Sequence, residues 1–331
     1  MVEKLLSVIV PVYKVEPYIN KCLDSLILED SALMDSLEVL IVNDGTPDNS
    51  AEMSREYVTR FPGTFRQIDK ENGGHGSAWN VGLKEATGKY LRFLDSDDWF
   101  TDLDRLMRDL EDCDADVVFN PFIKEYSYEN RTETVDVPVM DGVGPIAPGI
   151  WGTSKWGYNN VNFWSVTYKT SILKPLQPLF AEKTMFDDYI ITWAPLVYGR
   201  TCMSLDYAVY HYLIGRPDQS MSATRQRKGA ESYVKCFAQF EEVRSRIHPD
   251  ELSIPSELLD CIDVSISGYA GFIFSYMVYL PYRKARTEMK YLWANYLEKK
   301  PGKTSLMKRY AALPFFVFYY LEHLRRRILH V

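Results

Sequence analysis

Tyr90-Leu91-Arg92-Phe93-Leu94-Asp95-Ser96-Asp97-Asp98 is a mostly apolar run that ends abruptly in carboxylates. The run has the length of a β-strand, and side chains along a strand alternate between its two faces. Asp95 and Asp97 therefore emerge together at the C-terminal end, with no basic residue adjacent. Two such carboxylates suit a hard divalent cation, Mn²⁺ or Mg²⁺, and leave coordination positions that a diphosphate can fill. An isolated D-x-D also reads as an acidic surface turn, so its meaning depends on what flanks it.

On the N-terminal side, strands and helices alternate. Leu5-Leu6-Ser7-Val8-Ile9-Val10 is a buried-strand run ended by Pro11. Glu16-Pro17 then opens a helix whose apolar stripe is Tyr18, Ile19, Cys22, Leu23, Leu26 and Ile27. Leu37-Glu38-Val39-Leu40-Ile41-Val42 is a second buried strand, and residues 43–50 form a turn ending in helix-capping residues. Residues 65–68 read as a weaker strand, 77–86 as a helix and 116–119 as a further strand. Strands separated by single helices predict an α/β fold with a mainly parallel sheet flanked by helices. Ligands of such sheets sit beyond the C-terminal strand ends, where Asp44, Asp95 and Asp97 all fall.

Downstream the pattern changes. Residues 121–150 are rich in turn formers and read as a loop or hairpin, 151–164 are dense in aromatics, and a helix–strand stretch runs to about Ser222. After Arg225-Gln226-Arg227-Lys228 the pattern is helical to the end. The expected organisation is an α/β domain over residues 1–222 and a helical region over 223–331. Residues 262–282 are apolar enough to suggest a membrane span, but Asp263, Ser265, Ser267, Gly268 and Ser275 favour a buried helix.

The 331 residues, 46% hydrophobic and 25% charged, are ordinary for a globular protein with a large core. Five scattered cysteines without a C-x-x-C predict reduced thiols in a cytosolic protein and no zinc site. Met1-Val2-Glu3-Lys4 leads straight into a strand-like segment and does not read as a signal peptide. From residue 281 onward twelve Lys/Arg face three Asp/Glu, so this tail is +9 and the remainder of the −7 chain is −16. A basic tail on an acidic body suggests contact with an anionic surface, and without a basic stripe or binding motif nucleic acid is the weaker candidate. Residues 311–321, flanked by Lys308-Arg309 and Arg325-Arg326-Arg327, read either as an interfacial helix on anionic lipid or as a packed terminal helix.

Four segments stand in order: Ser7-Val8-Ile9-Val10-Pro11-Val12-Tyr13, Val42-Asn43-Asp44-Gly45-Thr46-Pro47-Asp48, Asn72-Gly73-Gly74-His75-Gly76-Ser77-Ala78-Trp79-Asn80-Val81-Gly82, and Phe93-Leu94-Asp95-Ser96-Asp97-Asp98. Together they resemble glycosyltransferase family 2 of the GT-A fold, in its bacterial cell-surface polysaccharide type. The likeness is close over residues 5 to about 100, loose to about 222, and absent beyond.

The resemblance implies a nucleotide-diphosphate sugar donor. Pro11 and Tyr13 would wall the nucleobase pocket, and Asp44 would accept the imide N–H of uracil or thymine. Asn72, Gly73 and His75 belong to the glycine-rich turn that opens toward the donor, where helix-end N–H groups favour anions. Asp95, with Ser96 beside it, would contact the ribose or the metal, and Asp97 would bind the metal. Asp98 would support the turn from behind. Lys183-Thr184-Met185-Phe186-Asp187-Asp188-Tyr189 occupies the place where the family has an acidic pair opening a helix, and the resemblance points to Asp188 as general base, with the assignment between Asp187 and Asp188 open. Arg216 would clamp the diphosphate, aided by Ser220, in a closing loop that begins near Tyr210. Trp151, Trp156, Tyr158 and Trp164 are candidates for an acceptor platform or for core packing. Asn43, Trp79 and Asp187 depart from the usual acid, Arg and Glu of the family.

The implied activity is inverting, metal-dependent transfer from a UDP-sugar, less readily a dTDP-sugar, to a hydroxyl of a glycan or lipid-linked glycan. The enzyme would be cytoplasmic, at the inner face of the membrane. Transfer to a polyprenyl phosphate would need basic residues near the donor, where only Lys84, Lys89 and Arg92 are available. A catalytically silent nucleotide-sugar binder on the same fold is a further alternative.

Overall fold

Every residue of β1 (Leu6–Val12) and β2 (Leu37–Asn43) is buried, as strands covered on both faces must be. They are the centre of a computed structural model that describes residues 3–151, 162–215, 229–299 and 303–328. β2 pairs in parallel with β3 (Phe65–Asp69), and β1 pairs in parallel with β4 (Tyr90–Phe93). Pro11 lies inside β1, although proline cannot donate to a ladder. It fits because β4 pairs with β1 only from Leu6 to Ile9, so the donorless nitrogen lies past the end of its neighbour.

The remaining strands are β5 (Trp99–Phe100), β6 (Val117–Phe119), β7 (Phe122–Tyr126), β8 (Arg131–Val135), β9 (Gly144–Pro145), β10 (Val166–Lys169), β11 (Thr201–Ser204) and β12 (Tyr210–Ile214). The main sheet has eight strands in the order β3-β2-β1-β4-β10-β6-β11-β9. The expected parallel sheet holds for β1 to β4 and then becomes mixed, because β10 runs antiparallel to both β4 and β6. Between β6 and β10 the chain forms the β7–β8 hairpin, as the loop-or-hairpin reading of residues 121–150 expects. A second sheet of four strands, β5-β12-β7-β8, contains that hairpin.

Local boundaries also differ from expectation. The helix expected from Glu16-Pro17 begins only at Ile19 and ends at Asp24, since Tyr18 and Ile19 first close a tight turn onto the Val15 carbonyl. The glycine-rich turn feeds a helix that starts at His75 rather than Ser77 and runs to Glu85. The expectation of helical structure after Lys228 holds for the described residues, in helices Ala230–Ser245, Ser256–Phe274, Tyr282–Leu292, Ser305–Ala312 and Phe315–Ile328. Ser256–Phe274 belongs to a stretch long and apolar enough to cross a membrane. It nevertheless buries Leu258, Ile262, Ile266, Tyr269, Ile273 and Phe274 against the rest of the chain, as the buried-helix reading expects.

Arg92 is the most consequential polar group in the core. It is fully buried in β4, donates to Asn120 Oδ1 and Thr167 Oγ1 at 3.1 Å each and to the Trp164 carbonyl at 2.7 Å, and packs over the Phe100 ring. Burial lowers its pKa to about 10. Arg92→Ala would leave a cavity and three acceptors without their donor, so a loss of about 3–5 kcal/mol is expected in urea unfolding. A loss below about 1 kcal/mol would show that the network contributes little.

Candidate active site

Four loops meet beyond the C-terminal ends of β1, β2 and β4. After β4 the burial alternates as a strand-like turn should: Asp95 and Asp97 are partly exposed, while Ser96 and Asp98 are buried. Asp98 fastens this turn to the second sheet, accepting from Tyr210 Oη at 2.6 Å and from the Leu213 amide at 2.8 Å. Burial, then the charges of Asp97 and Asp95, push its carboxyl well above the ordinary range. Tyr210 Oη also accepts from the Asp95 amide at 3.2 Å, so β12 fixes the turn at two points.

Asp44, just past β2, organises the glycine-rich loop. Its carboxylate accepts from Lys70 Nζ at 2.6 Å and from the Gly73 and Gly74 amides at 2.8 Å each. Asn72 Nδ2 donates to the Asp44 carbonyl at 3.0 Å. Gly74 has φ +87°, a conformation that favours glycine. With Asp44 only 3% exposed and three donors on its oxygens, a nucleobase contact has one lone-pair site left, on Oδ2. Asn43 suits its place because its amide donates to Asp69 at 2.8 Å, where an acid would be repelled. Tyr13 is 42% exposed beyond the strand end, whereas Pro11 is buried within it.

His75 joins the two acidic segments. Its Nε2 lies 3.0 Å from Asp95 Oδ1, and its Nδ1 lies 3.2 Å from both Asp187 oxygens. Burial opposes the imidazolium, but Asp187 and Asp95 outweigh it and hold the pKa well above the usual histidine value. Trp79 packs beneath the ring at 4.1 Å and is enclosed by Phe93, Phe163 and Phe180. Fully buried there, Trp79 floors the site with apolar surface where an arginine would be a desolvated charge. Gly76 is required because a Cβ would come within 2.3 Å of Asp187 Oδ2 and of the Ala181 carbonyl.

The acidic pair opens a 3₁₀ segment, Asp187–Thr192, and not the expected helix. The reason is local: Lys183 and Phe186 both have left-handed backbones, at φ +53° and +68°. The Lys183 amide donates to the Gly73 carbonyl at 2.6 Å, docking the segment on the glycine-rich loop. C-terminal helices hold the other side. Phe186 stacks on Tyr233, and Tyr189 stacks on Tyr269, with ring centroids 4.6 and 4.4 Å apart. Asp187 is 3% exposed and committed to His75, while Asp188 is less buried. Burial first, then the Asp187 charge, raises Asp188 to about 7.

Asp95 and Asp97 are chemically suited to a divalent cation, since both offer hard oxygens and both reach solvent. Among the described residues no group of three His, Cys, Asp or Glu forms a ready metal cage, so a cation would need oxygens from a ligand. Arg216, Ser220, Trp156 and Tyr158 lie outside the described residues. Trp151 is a core residue, 1% exposed with Nε1 donating to the Thr192 carbonyl at 2.6 Å, so it is not part of an acceptor platform. Trp164, partly exposed, stacks on Tyr212 at 4.5 Å. Lys70 and Tyr210 were not singled out by the sequence, because their partners Asp44 and Asp98 are 26 and 112 residues away.

Residues 7–160 match the family model "Glycosyl transferase family 2". Over these residues the chain is similar to glycosyltransferase family 2. Among relatives, the chain is 41% identical over 130 residues to "Uncharacterized glycosyltransferase EpsJ" of Bacillus subtilis (strain 168), covering 39% of this chain and 36% of the relative. It is 28% identical over 213 residues to "Putative glycosyltransferase EpsH" of the same organism, covering 63% and 60%. The chain thus matches less than two thirds of the length of either relative. S. aureus TarS 1-349, solved in complex with UDP-GlcNAc, shares the fold with TM-score 0.55 at 19% identity, covering 89% of this chain and 90% of that one. The likeness supports the GT-A fold for the family 2 segment and the strands that follow it.

The raised pKa of Asp188 has a consequence for stability. Folding disfavours its charged form, so its protonation adds stability that is present at low pH and lost as pH rises through about 7. Asp188→Asn removes the charge and is expected to stabilise the protein at pH 8, by at most about 4 kcal/mol. Below pH 4 the two proteins should unfold alike. Equal thermal midpoints at both pH values would contradict the burial of this carboxyl.

Proposed function

We propose that this chain is an inverting, metal-dependent glycosyltransferase that moves a sugar from a UDP-sugar, or less readily a dTDP-sugar, to a hydroxyl of a glycan or lipid-linked glycan. The observation that carries the reading is the His75 bridge, which brings Asp95 and the Asp187–Asp188 pair to one site. The donor carboxylate pair and the candidate base thus stand on opposite sides of one imidazole. The complex of TarS with UDP-GlcNAc supports a uridine nucleotide for the shared fold.

Tyr13 would stack on the base, with the remaining lone pair of Asp44 toward the imide N–H. Asn72 and Gly73 hold the loop on which the donor rests, and Asp95 and Asp97 would hold Mn²⁺ or Mg²⁺, with the buried Ser96 between them. Such a cation, when bound, neutralises charge on the departing diphosphate. The acceptor oxygen attacks the anomeric carbon, its proton passes to Asp188, and the nucleoside diphosphate leaves with the bonding electrons. Asp187 and His75 orient the base from behind, and Arg216 would clamp the diphosphate. Arg92 is buried and Lys89 Nζ donates to the Cys113 carbonyl, which supports a hydroxyl acceptor over an anionic polyprenyl phosphate. The expected place of action is the cytoplasm, at the inner face of the membrane.

The test is a thermal melt with UDP, dTDP, GDP or NAD, each with and without Mn²⁺. A nucleotide at about a hundred times its Kd should add about 2.7 kcal/mol. The shift should follow UDP, require Mn²⁺ and vanish in Asp97→Ala; no shift with any nucleotide would overturn the donor site. In turnover assays Asp188→Asn should keep UDP binding and lose about 10²–10⁴-fold in rate.

The wild-type rate should rise with pH through about 7, because the base works only when deprotonated. A profile that is flat there would argue for a different base.

A further inference from the structure

The terminal helix Phe315–Ile328 has two unlike faces. Inward, Phe318, Tyr319 and Glu322 are buried, and Tyr319 Oη donates to the Leu280 carbonyl at 2.8 Å. Outward, Phe316, Tyr320, Leu321 and Leu324 are 57%, 65%, 48% and 56% exposed. Phe316, Tyr320 and Leu324 follow at intervals of four and form one stripe along the helix. Single exposed apolar side chains are ordinary, but a continuous stripe of large ones marks a contact surface.

The charge around the stripe identifies its partner. From Lys299 to Val331 there are eight Lys/Arg and one acid, Glu322. Glu322 is turned inward, 3% exposed, paired with Arg309 at 2.5 Å and reached by Arg325 at 3.9 Å, so one buried acid faces this whole set of cations. Lys308 and Arg325 are exposed at the two ends, and Tyr282, which stacks on Tyr320, is followed by the exposed Arg283. An apolar stripe flanked by exposed cations matches a surface with an apolar interior and anionic headgroups. A second copy of the chain fits less well, since a two-fold contact would set the same cations against each other.

We propose that the outer face of helix Phe315–Ile328 docks this protein on an anionic lipid bilayer, with Phe316, Tyr320, Leu321 and Leu324 entering the interface. Its role in presenting a lipid-linked acceptor rests on the proposed function; the docking itself rests on the helix alone. The full chain should co-sediment with vesicles of equimolar phosphatidylcholine and phosphatidylglycerol, and weakly with phosphatidylcholine alone. The double variant Phe316→Ser, Leu324→Ser should bind at least about tenfold less, and so should Lys308→Glu, Arg283→Glu. These side chains are exposed, so the melting temperature and its shift with UDP and Mn²⁺ should match wild type.

Binding that is absent, or unaffected by either double variant, would overturn the proposal. So would light scattering that finds a wild-type dimer and a Phe316→Ser, Leu324→Ser monomer, because the stripe would then join two copies. Loss of the UDP response with vesicle binding intact would refute the donor reading and leave the docking surface standing.

Discussion

One imidazole holds this site together. His75 reaches Asp95 on the turn after β4 with one nitrogen and Asp187 with the other, and its cation is stabilised only because both acids are there. Without that charge between them, two partly desolvated carboxylates from distant parts of the chain would repel each other. The apolar floor of Trp79, the missing Cβ at Gly76 and the docking of Lys183 on Gly73 all serve to place this ring and its partners.

Around that contact the protein distributes its polar groups by a simple rule. Asp95 and Asp97 retain solvent access, whereas the more deeply buried acids are held by several donors. Asp98 is tied to Tyr210 and Leu213, and Asp44 to Lys70, Gly73 and Gly74. Asp188 lies between these cases, buried enough to resist ionisation yet without the donor set that would make it a fixed structural anion.

Much of the α/β half was legible in the chain because its signals are local. The apolar runs of β1, β2 and β4, the period-two alternation from Asp95 to Asp98 and the turn at Gly74 each depend on a few neighbouring residues. The relation of His75 to Asp187 was not legible, since 112 residues separate them and no periodicity links the two. The antiparallel β10, the second sheet and the burial of Arg92 escaped for the same reason, as each is decided by pairing across distant segments. The family likeness supplied the roles of the acidic pair, but the departure of its backbone from a helix follows from Lys183 and Phe186, whose left-handed conformations no composition signals.

Those left-handed residues persist because their surroundings over-determine them. Much of what constrains them comes late in the chain, through the stacks of Phe186 on Tyr233 and of Tyr189 on Tyr269. A polypeptide emerging from the ribosome N-terminus first can form the central strands and the turn of Asp95 and Asp97 well before Tyr269 has been made. The aromatic supports of the acidic pair come only afterwards. The half of the site proposed to face the nucleotide can therefore exist before the half proposed to carry the base, and a nascent or truncated chain that binds nucleotide need not yet have that base in position.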